Sequence, residues 1–238
     1  MVPGTWHGGW CWQRLSPLLR AAGHEVYTPT LTGLGERVHL AHPDVGLTTH
    51  IEDVVAVLKY EDLHDVILVG HSYGGGVITG VGDRCGHRLA YLLYLDAPIP
   101  QDGECNLDRM SPALREATEA QVAREGDGWR IPITQEDKPF GVTRDEDARW
   151  VKSKITPQPF KTYTEPLRLS DPSLGGIPRG FIHCTQKPAG DRVAPFAQRA
   201  RDDGLWFREL ATGHDAMVTA PAELFALLME LPPLAQGR

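Results

Sequence analysis

The chain has 238 residues, and its 24 lysine and arginine residues against 31 aspartate and glutamate residues give a formal net charge of −7. At this length the chain can form one large domain, or a core domain with an inserted subdomain. The acidic balance, without a cluster of basic residues, argues against nucleic acid or an anionic membrane surface as a partner.

The apolar pattern alternates between helical spacing and short continuous runs, which predicts helices between buried parallel strands. In chain order the first predicted elements are a helix over 10–22, a short strand over 24–28, a helix capped at Thr48 or Thr49, a strand over 66–69, a helix around 77–81 and a strand over 89–95. Right-handed crossovers between such strands place helices on both faces of the sheet.

Residues 100–176 differ in character, because they are rich in proline and charge and contain no convincing buried strand. Helical pieces are predicted within them near 112–124 and 144–154. The core pattern then resumes with a strand over 181–184, a helix over 196–201, a strand over 206–210 and a helix over 222–231. We therefore predict an α/β core formed by residues 1–99 and 177–238 and an inserted cap subdomain over residues 100–176.

The sharpest local signal is the sequence Gly-His-Ser-Tyr-Gly at 70–74, between a predicted strand and the helix that follows it. In a strand-to-helix turn of the form Gly-x-Ser-x-Gly, the serine adopts a strained backbone and displays its hydroxyl above the sheet. The pattern therefore predicts Ser72 as a nucleophile. A serine nucleophile needs a base. We expect that base to be a histidine late in the chain, and His214 follows the predicted strand over 206–210.

Two aspartates compete for the role of the acid that orients the imidazole of His214. Asp96 ends the apolar run of its strand, while Asp191 lies beyond the penultimate strand, where it could instead cap a helix. We favour Asp96, because an ionised carboxylate at the end of a buried strand needs a partner to offset its desolvation.

An oxyanion that forms on an attacked carbonyl needs two preorganised donors. We expect these to be the N–H groups of Tyr73, at the start of the helix, and of Thr5, in the small and turn-rich segment 4–9. Four aromatic or imidazole side chains are expected to line the substrate pocket. They are Trp6, His7, Trp129 and Trp150.

No cofactor or metal is expected. The Gly-x-Gly at 33–35 lacks the third glycine of a dinucleotide-binding turn, and no His-Glu-x-x-His or other ligand cluster is present. The four cysteines have no Cys-x-x-Cys spacing, so we expect free thiols. A cytoplasmic location is expected, because the first residues carry no secretory signal and no apolar run approaches the about 20 residues that span a bilayer.

The chain resembles the α/β-hydrolase superfamily, and within it the plant-type methyl esterases and hydroxynitrile lyases with their bacterial esterase relatives. The segments that carry the resemblance are 2–12 (VPGTWHGGWCW), 21–26 (AAGHEV), 70–75 (GHSYGG) and 213–217 (GHDAM). The resemblance implies an α/β-hydrolase fold, a Ser-His-acid site without a cofactor, a helical cap, and oxyanion donors at Thr5 and Tyr73.

Three departures from the family pattern matter. Hydroxynitrile lyases of this group carry lysine directly after the late histidine, whereas this chain has Asp215, so lyase activity is not expected. The esterases usually place the acid two or three residues after the Cys-Thr of the penultimate strand, where this chain has Lys187 and Pro188. Relatives also have several strand residues before the Val-Pro-Gly segment, so we expect further residues upstream of Met1.

The sequence thus predicts a carboxylic ester hydrolase that forms an acyl-enzyme on Ser72 and acts on a small or medium, apolar or aromatic ester. One alternative is a lyase, cyclase or thioesterase step in a biosynthetic route that uses the same serine and histidine. Another is a ligand-binding receptor on a hydrolase fold. The expected partner is a small-molecule ester, and a homodimer is left open.

Overall fold

The computed structural model describes residues 1–187 and 191–232. Its helices are α1 (Ser16–Ala21), α2 (Leu47–Tyr60), α3 (Gly74–Cys85), α4 (Pro112–Glu125), α5 (Asp145–Lys152), α6 (Lys161–Thr164), α7 (Ala194–Asp202), α8 (Ala216–Thr219) and α9 (Pro221–Met229). Its strands are β1 (Val66–His71), β2 (Leu89–Leu95), β3 (Arg130–Ile131), β4 (Gln158–Pro159), β5 (Arg179–Cys184) and β6 (Trp206–Leu210). Residues 188–190, which include Pro188, and residues 233–238 lie outside the described residues.

Four strands form a parallel sheet in the order β1-β2-β5-β6, and Val2 adds an isolated parallel bridge to Gly70 of β1. Each crossover within this sheet contains a helix, since α3 links β1 to β2 and α7 links β5 to β6. The predicted α/β-hydrolase fold class is therefore confirmed. The carboxyl ends of all four strands meet at one edge, which is where parallel sheets bind ligands.

The side chains of β2 show how the sheet is buried on both faces. Leu92 and Tyr94 belong to one apolar cluster, which also contains residues of α2, α3 and α7. Leu93 and Leu95 belong to a second cluster with residues of α1, α8 and α9. Successive strand residues point to opposite faces, so one continuous apolar run supplies two cores.

The strand predicted over 24–28 is wrong, because these residues form no strand. The backbone nitrogen of Met1 donates to the carbonyl oxygen of Tyr27 at 2.7 Å, but a single hydrogen bond does not make a ladder. The helix predicted over 10–22 is also broken. A 3₁₀ turn covers Gly9–Trp12, and α1 begins only at Ser16, with Pro17 in its first turn, where a missing N–H costs nothing.

Residues 100–176, here called the insertion, lie between β2 and β5 and contain α4, α5 and α6. They also contain β3 and β4, which pair antiparallel over two residues each and stand apart from the main sheet. None of the helices within residues 1–187 and 191–232 is long and apolar enough to cross a membrane. All four cysteines are free, and Cys11 and Cys184 are buried.

Candidate active site

Ser72 lies in the turn between the end of β1 and the start of α3, with a left-handed backbone conformation (φ 50°). Its N–H donates to the carbonyl oxygen of Leu95 at the end of β2, at 3.2 Å. The left-handed region is costly for a residue with a side chain, and it persists where surrounding contacts hold it. The turn therefore displays the Ser72 hydroxyl at the carboxyl edge of the sheet.

The glycines around Ser72 allow the backbone to pack closely. A Cβ at Gly70 would lie 2.6 Å from the carbonyl oxygen of Gly74, so the strand and the helix approach too closely for any side chain. A Cβ at Gly4 would lie 2.9 Å from the Cβ of Ser72, which shows that the segment 4–9 runs directly beside the serine. The sequence pattern thus reflects backbone approach on two sides of the nucleophile position.

His214 and Asp96 meet at this edge. The Nδ1 of His214 lies 2.5 Å from Oδ2 of Asp96, and a carboxylate can only accept, so Nδ1 carries the proton. This leaves Nε2 of His214 free to act as a base toward a serine hydroxyl. The hydroxyl of Ser72 and the ring of His214 form no hydrogen bond among the described residues; such contacts are often loose before substrate binds.

Asp96 is fully buried and is held as a carboxylate by three donors. Besides His214, Nζ of Lys187 donates to its Oδ1 at 2.7 Å, and the N–H of Cys184 donates to the same oxygen at 3.1 Å. Burial opposes ionisation, but the hydrogen bonds and charges of His214 and Lys187 outweigh it and lower the pKa of Asp96. The carboxylate that faces the imidazole is therefore ionised at neutral pH.

Asp191, the alternative acid, faces a different histidine. Its Oδ2 lies 2.6 Å from Nε2 of His183, and its Oδ1 accepts from Nζ of Lys187 at 2.7 Å. Oδ1 also accepts from the N–H groups of Val193 and Ala194 at the start of α7. Burial is outweighed by these hydrogen bonds, and the pKa of Asp191 falls to about 2. Asp191 thus shares a lysine with Asp96 but does not contact His214.

Two unused backbone donors lie beside the serine. The N–H groups of Thr5 and Tyr73 donate to no acceptor within the part of the chain that the structure describes. Tyr73 directly follows Ser72 and precedes α3, whose N-terminus favours negative charge. Thr5 follows Gly4, which touches Ser72, and its hydroxyl lies 2.5 Å from that of Tyr163 in the insertion. Two free donors beside a serine can stabilise an oxyanion.

Trp6 forms three hydrogen bonds with residues of the insertion. Its N–H donates to Oε1 of Gln158 at 2.9 Å, its indole N–H to the carbonyl oxygen of Ile131 at 3.2 Å, and its own carbonyl oxygen accepts from Thr156 at 3.0 Å. Its backbone is left-handed (φ 64°), and its ring packs 5.8 Å from that of Phe140. These contacts fix the loop that contains Thr5.

His7 lies in the interior instead, with 1% of its surface exposed. Its Nδ1 lies 2.7 Å from the carbonyl oxygen of Thr5, and its Nε2 lies 3.1 Å from Oδ2 of the fully buried Asp215. Burial lowers the pKa of His7, but the charge and hydrogen bond of Asp215 outweigh it and raise the pKa overall. His7 thus forms a buried ion pair with Asp215, and its assignment to the substrate pocket stays a prediction.

Trp129 and Trp150 each pack against another side chain. Arg130 lies over the ring of Trp129 at 4.5 Å, and Trp150 meets Trp10 edge-on with ring centres 5.1 Å apart. Neither indole contacts Ser72 or His214 in the aromatic and hydrogen-bonding contacts of the described residues. Their assignment to the pocket stays a prediction.

Sequence reasoning missed the role of Asp215, which lies next to His214 and pairs with His7, 208 residues away in the chain. His71 is also part of this cluster, because its Nε2 lies 3.0 Å from the carbonyl oxygen of His214. Burial first, and the charge of His214 second, lower the pKa of His71 to about 3. The neutral ring therefore donates from Nε2 and holds the loop of the base. The sequence signal that could have pointed to the role of Asp215 is the acidic residue directly after His214.

No three His, Cys, Asp or Glu side chains among residues 1–187 and 191–232 are grouped so that they could hold a metal ion.

The model of the alpha/beta hydrolase family matches residues 1–227. The chain belongs to the alpha/beta hydrolase family. The resemblance inferred from the sequence is thus confirmed.

A carbendazim-hydrolysing esterase from Nocardioides sp. is 39% identical to this chain, over 97% of this chain and 98% of that protein. A pFDCC methylesterase from Arabidopsis thaliana is 26% identical, over 96% of this chain and 91% of that protein. With such relatives, the chain is a carboxylic ester hydrolase.

Solved structures show the same fold. An extracellular alpha/beta-hydrolase from a Paenibacillus species superposes with a TM-score of 0.83 at 24% identity, over 98% of this chain and 97% of that one. Similarity at this level of identity supports the architecture alone. The sequence-based expectation of one hydrolase sheet with helices on both sides agrees with it.

Proposed function

We propose that this esterase works through Ser72 as nucleophile, His214 as base and Asp96 as the acid that orients His214. The observation that carries the proposal is the 2.5 Å contact between Nδ1 of His214 and the buried carboxylate of Asp96, at the sheet edge where the strained turn displays Ser72. A serine hydroxyl becomes a useful nucleophile only beside such a base, and the carboxylate stabilises the imidazolium that forms.

The reaction follows from these positions. The Oγ of Ser72 attacks the acyl carbon while Nε2 of His214 takes the hydroxyl proton, and the N–H groups of Thr5 and Tyr73 donate to the carbonyl oxygen as it becomes negative. The intermediate collapses to an acyl-enzyme, and His214 returns the proton to the departing alcohol. Water then attacks the acyl-enzyme with His214 again as base, which releases the acid and restores Ser72.

We infer that the insertion acts as a cap over this site. Gln158 and Tyr163 hydrogen-bond the segment that contains Thr5, and a Cβ at Gly213 would lie 2.4 Å from the carbonyl oxygen of Gly141. The insertion thus contacts the loops on both sides of Ser72. Trp6 and Phe140 belong to these contacting segments, with ring centres 5.8 Å apart, and they support an apolar or aromatic acyl group as substrate.

For substrate class we propose methyl and other small-alkyl esters of aromatic acids, together with alkyl carbamates. The support comes from the activities of the relatives, since one is an esterase that hydrolyses carbendazim and others are methylesterases. We also infer a cytoplasmic location, which the four free cysteines favour, since disulfides dominate in oxidising compartments.

The test is Ser72→Ala against Ser170→Ala, an exposed serine that serves as the matched control. Ser72→Ala should reduce turnover of p-nitrophenyl acetate on the order of 10⁴-fold or more and abolish labelling by a fluorophosphonate. Ser170→Ala should retain both. Undiminished turnover in Ser72→Ala contradicts the nucleophile assignment. A panel of methyl benzoate, p-nitrophenyl acetate and carbendazim, followed by chromatography of the products, tests the substrate class.

A further inference from the structure

Lys187 lies in direct contact with the carboxylate that faces the proposed base. Its Nζ is 2.7 Å from Oδ1 of Asp96, while the other oxygen of Asp96 is 2.5 Å from His214. One carboxylate therefore contacts the ammonium group of Lys187 and the imidazole of His214 at once. The negative charge that would stabilise protonated His214 is partly offset by the ammonium group.

The position of Lys187 is fixed from its other side. Asp191 accepts from the same Nζ at 2.7 Å, and Asp191 is held by His183 and by the backbone at the start of α7. Only 9% of the Lys187 side chain is exposed, so solvent screens its charge weakly. In the sequence, Lys187 is notable only because it stands where esterases of this group usually place the acid.

Other charged and titratable groups surround Asp96 and His214, and each of these groups makes contacts of its own. Against His214 lie His71, from the end of β1, and Asp215, which pairs with His7 of the segment 4–9. Near Asp96 lies the thiol of Cys184 at the end of β5, and burial raises its pKa well above the ordinary value. Beyond Asp191, His183 lies 4.0 Å from Glu209 of β6, which pairs with Arg201 of α7. Among these described groups, Lys187 is the cation in contact with Asp96.

We propose that Lys187 tunes the base: it offsets the charge of Asp96, so that His214 gives up its proton at lower pH and the enzyme keeps activity further into the acid range. This rests on the proposed roles of Asp96 and His214. Lys187 acts through Asp96 and is a positioning residue. The sign follows from electrostatics, since Asp96 stabilises the imidazolium and Lys187 opposes it. Removal of the lysine charge should keep His214 protonated to higher pH.

The experiment compares Lys187→Met with Lys187→Arg, which keeps the charge, and with Lys59→Met, which removes an exposed lysine of α2. kcat/KM for p-nitrophenyl acetate is measured from about pH 5 to about pH 9, the range in which histidines titrate. The acid limb of the Lys187→Met profile should move up by about one pH unit. Lys187→Arg should restore the wild-type limb, and Lys59→Met should not move it.

A second variant keeps the proposal testable if Lys187→Met does not fold. Asp191→Asn removes a negative charge and leaves Lys187 paired with Asp96 alone, so its acid limb should move to lower pH. Superposed profiles of Lys187→Met and wild type, or an Asp191→Asn limb that moves to higher pH, overturn the proposal. Failure of the proposed function is distinct, because wild-type protein would then neither turn over esters nor react with a fluorophosphonate.

Discussion

Asp96 and Asp191 both accept a hydrogen bond from Lys187, yet of the two it is Asp96 that accepts one from His214. The sequence favours Asp96 for a local reason, because a carboxylate at the end of a buried strand needs partners. It contains no comparable signal for Lys187, whose contact with Asp96 joins residues 91 positions apart. Residue types and strand ends could be predicted, but the pairing across the sheet edge depends on loop geometry.

The two aspartates give the prediction that belongs to this scale. Asp96→Asn should reduce kcat on the order of 10⁴-fold, because an amide can donate to Nδ1 and hold the imidazole in the wrong tautomer. Asp191→Asn should keep most of the activity at neutral pH. Steady-state kinetics with p-nitrophenyl acetate, together with circular dichroism of each variant, provide the measurement. Full activity in Asp96→Asn would exclude it as the orienting acid.

At the scale of elements, β1, the turn at Ser72 and α3 were predictable because the signals are local. A continuous apolar run, a Gly-x-Ser-x-Gly turn and a following helix are all adjacent in sequence. The segment 24–28 was predicted wrongly, because its β character depended on a neighbouring strand that the structure does not form there. Strand formation depends on a partner, whereas a turn can be encoded by a few residues.

Two neighbouring glycines of α3 test how closely this element packs. A Cβ at Gly75 would lie 2.3 Å from the carbonyl oxygen of Pro98, so Gly75→Ala should destabilise the fold by about 1 to 3 kcal/mol. A Cβ at Gly76 meets nothing nearer than 3.8 Å, so Gly76→Ala should stabilise the helix by about 0.5 to 1 kcal/mol. Urea unfolding measures both. Equal effects of the same sign would contradict the packing described for α3.

Across the whole molecule, the buried pair of His7 and Asp215 connects the first loop of the chain to the loop of the proposed base. The sequence predicts both residues near the carboxyl edge of the sheet, and it predicts His7 as a pocket residue without indicating its pairing with Asp215. An ion pair between residues 208 positions apart has no local signature, so only the assembled fold could reveal it.

Asp215→Asn should destabilise the protein by about 3 to 5 kcal/mol, because it leaves His7 buried without its counter-charge. The double variant His7→Gln, Asp215→Asn should lose less. Asp215 has a lowered pKa despite its burial, because of the charge and hydrogen bond of His7, so its contribution is lost as pH falls. His7 has a raised pKa, and its contribution is lost as pH rises. Thermal unfolding should therefore show the largest loss of stability in Asp215→Asn at pH values between the lowered pKa of Asp215 and the raised pKa of His7. A loss of stability that is constant with pH would contradict the ion pair.

The hydrogen bonds from the insertion to Trp6 and Thr5 matter for any redesign of the enzyme. Thr156, Gln158 and Tyr163 hold the loop beside the nucleophile. A library that randomises these three residues would therefore change the position of the oxyanion donor together with the substrate selectivity. The mostly exposed α4 belongs to the same insertion but contributes only Val122 as a buried residue. Substitutions on α4 should therefore leave the loop beside the nucleophile in place, whereas substitutions at those three anchors should not.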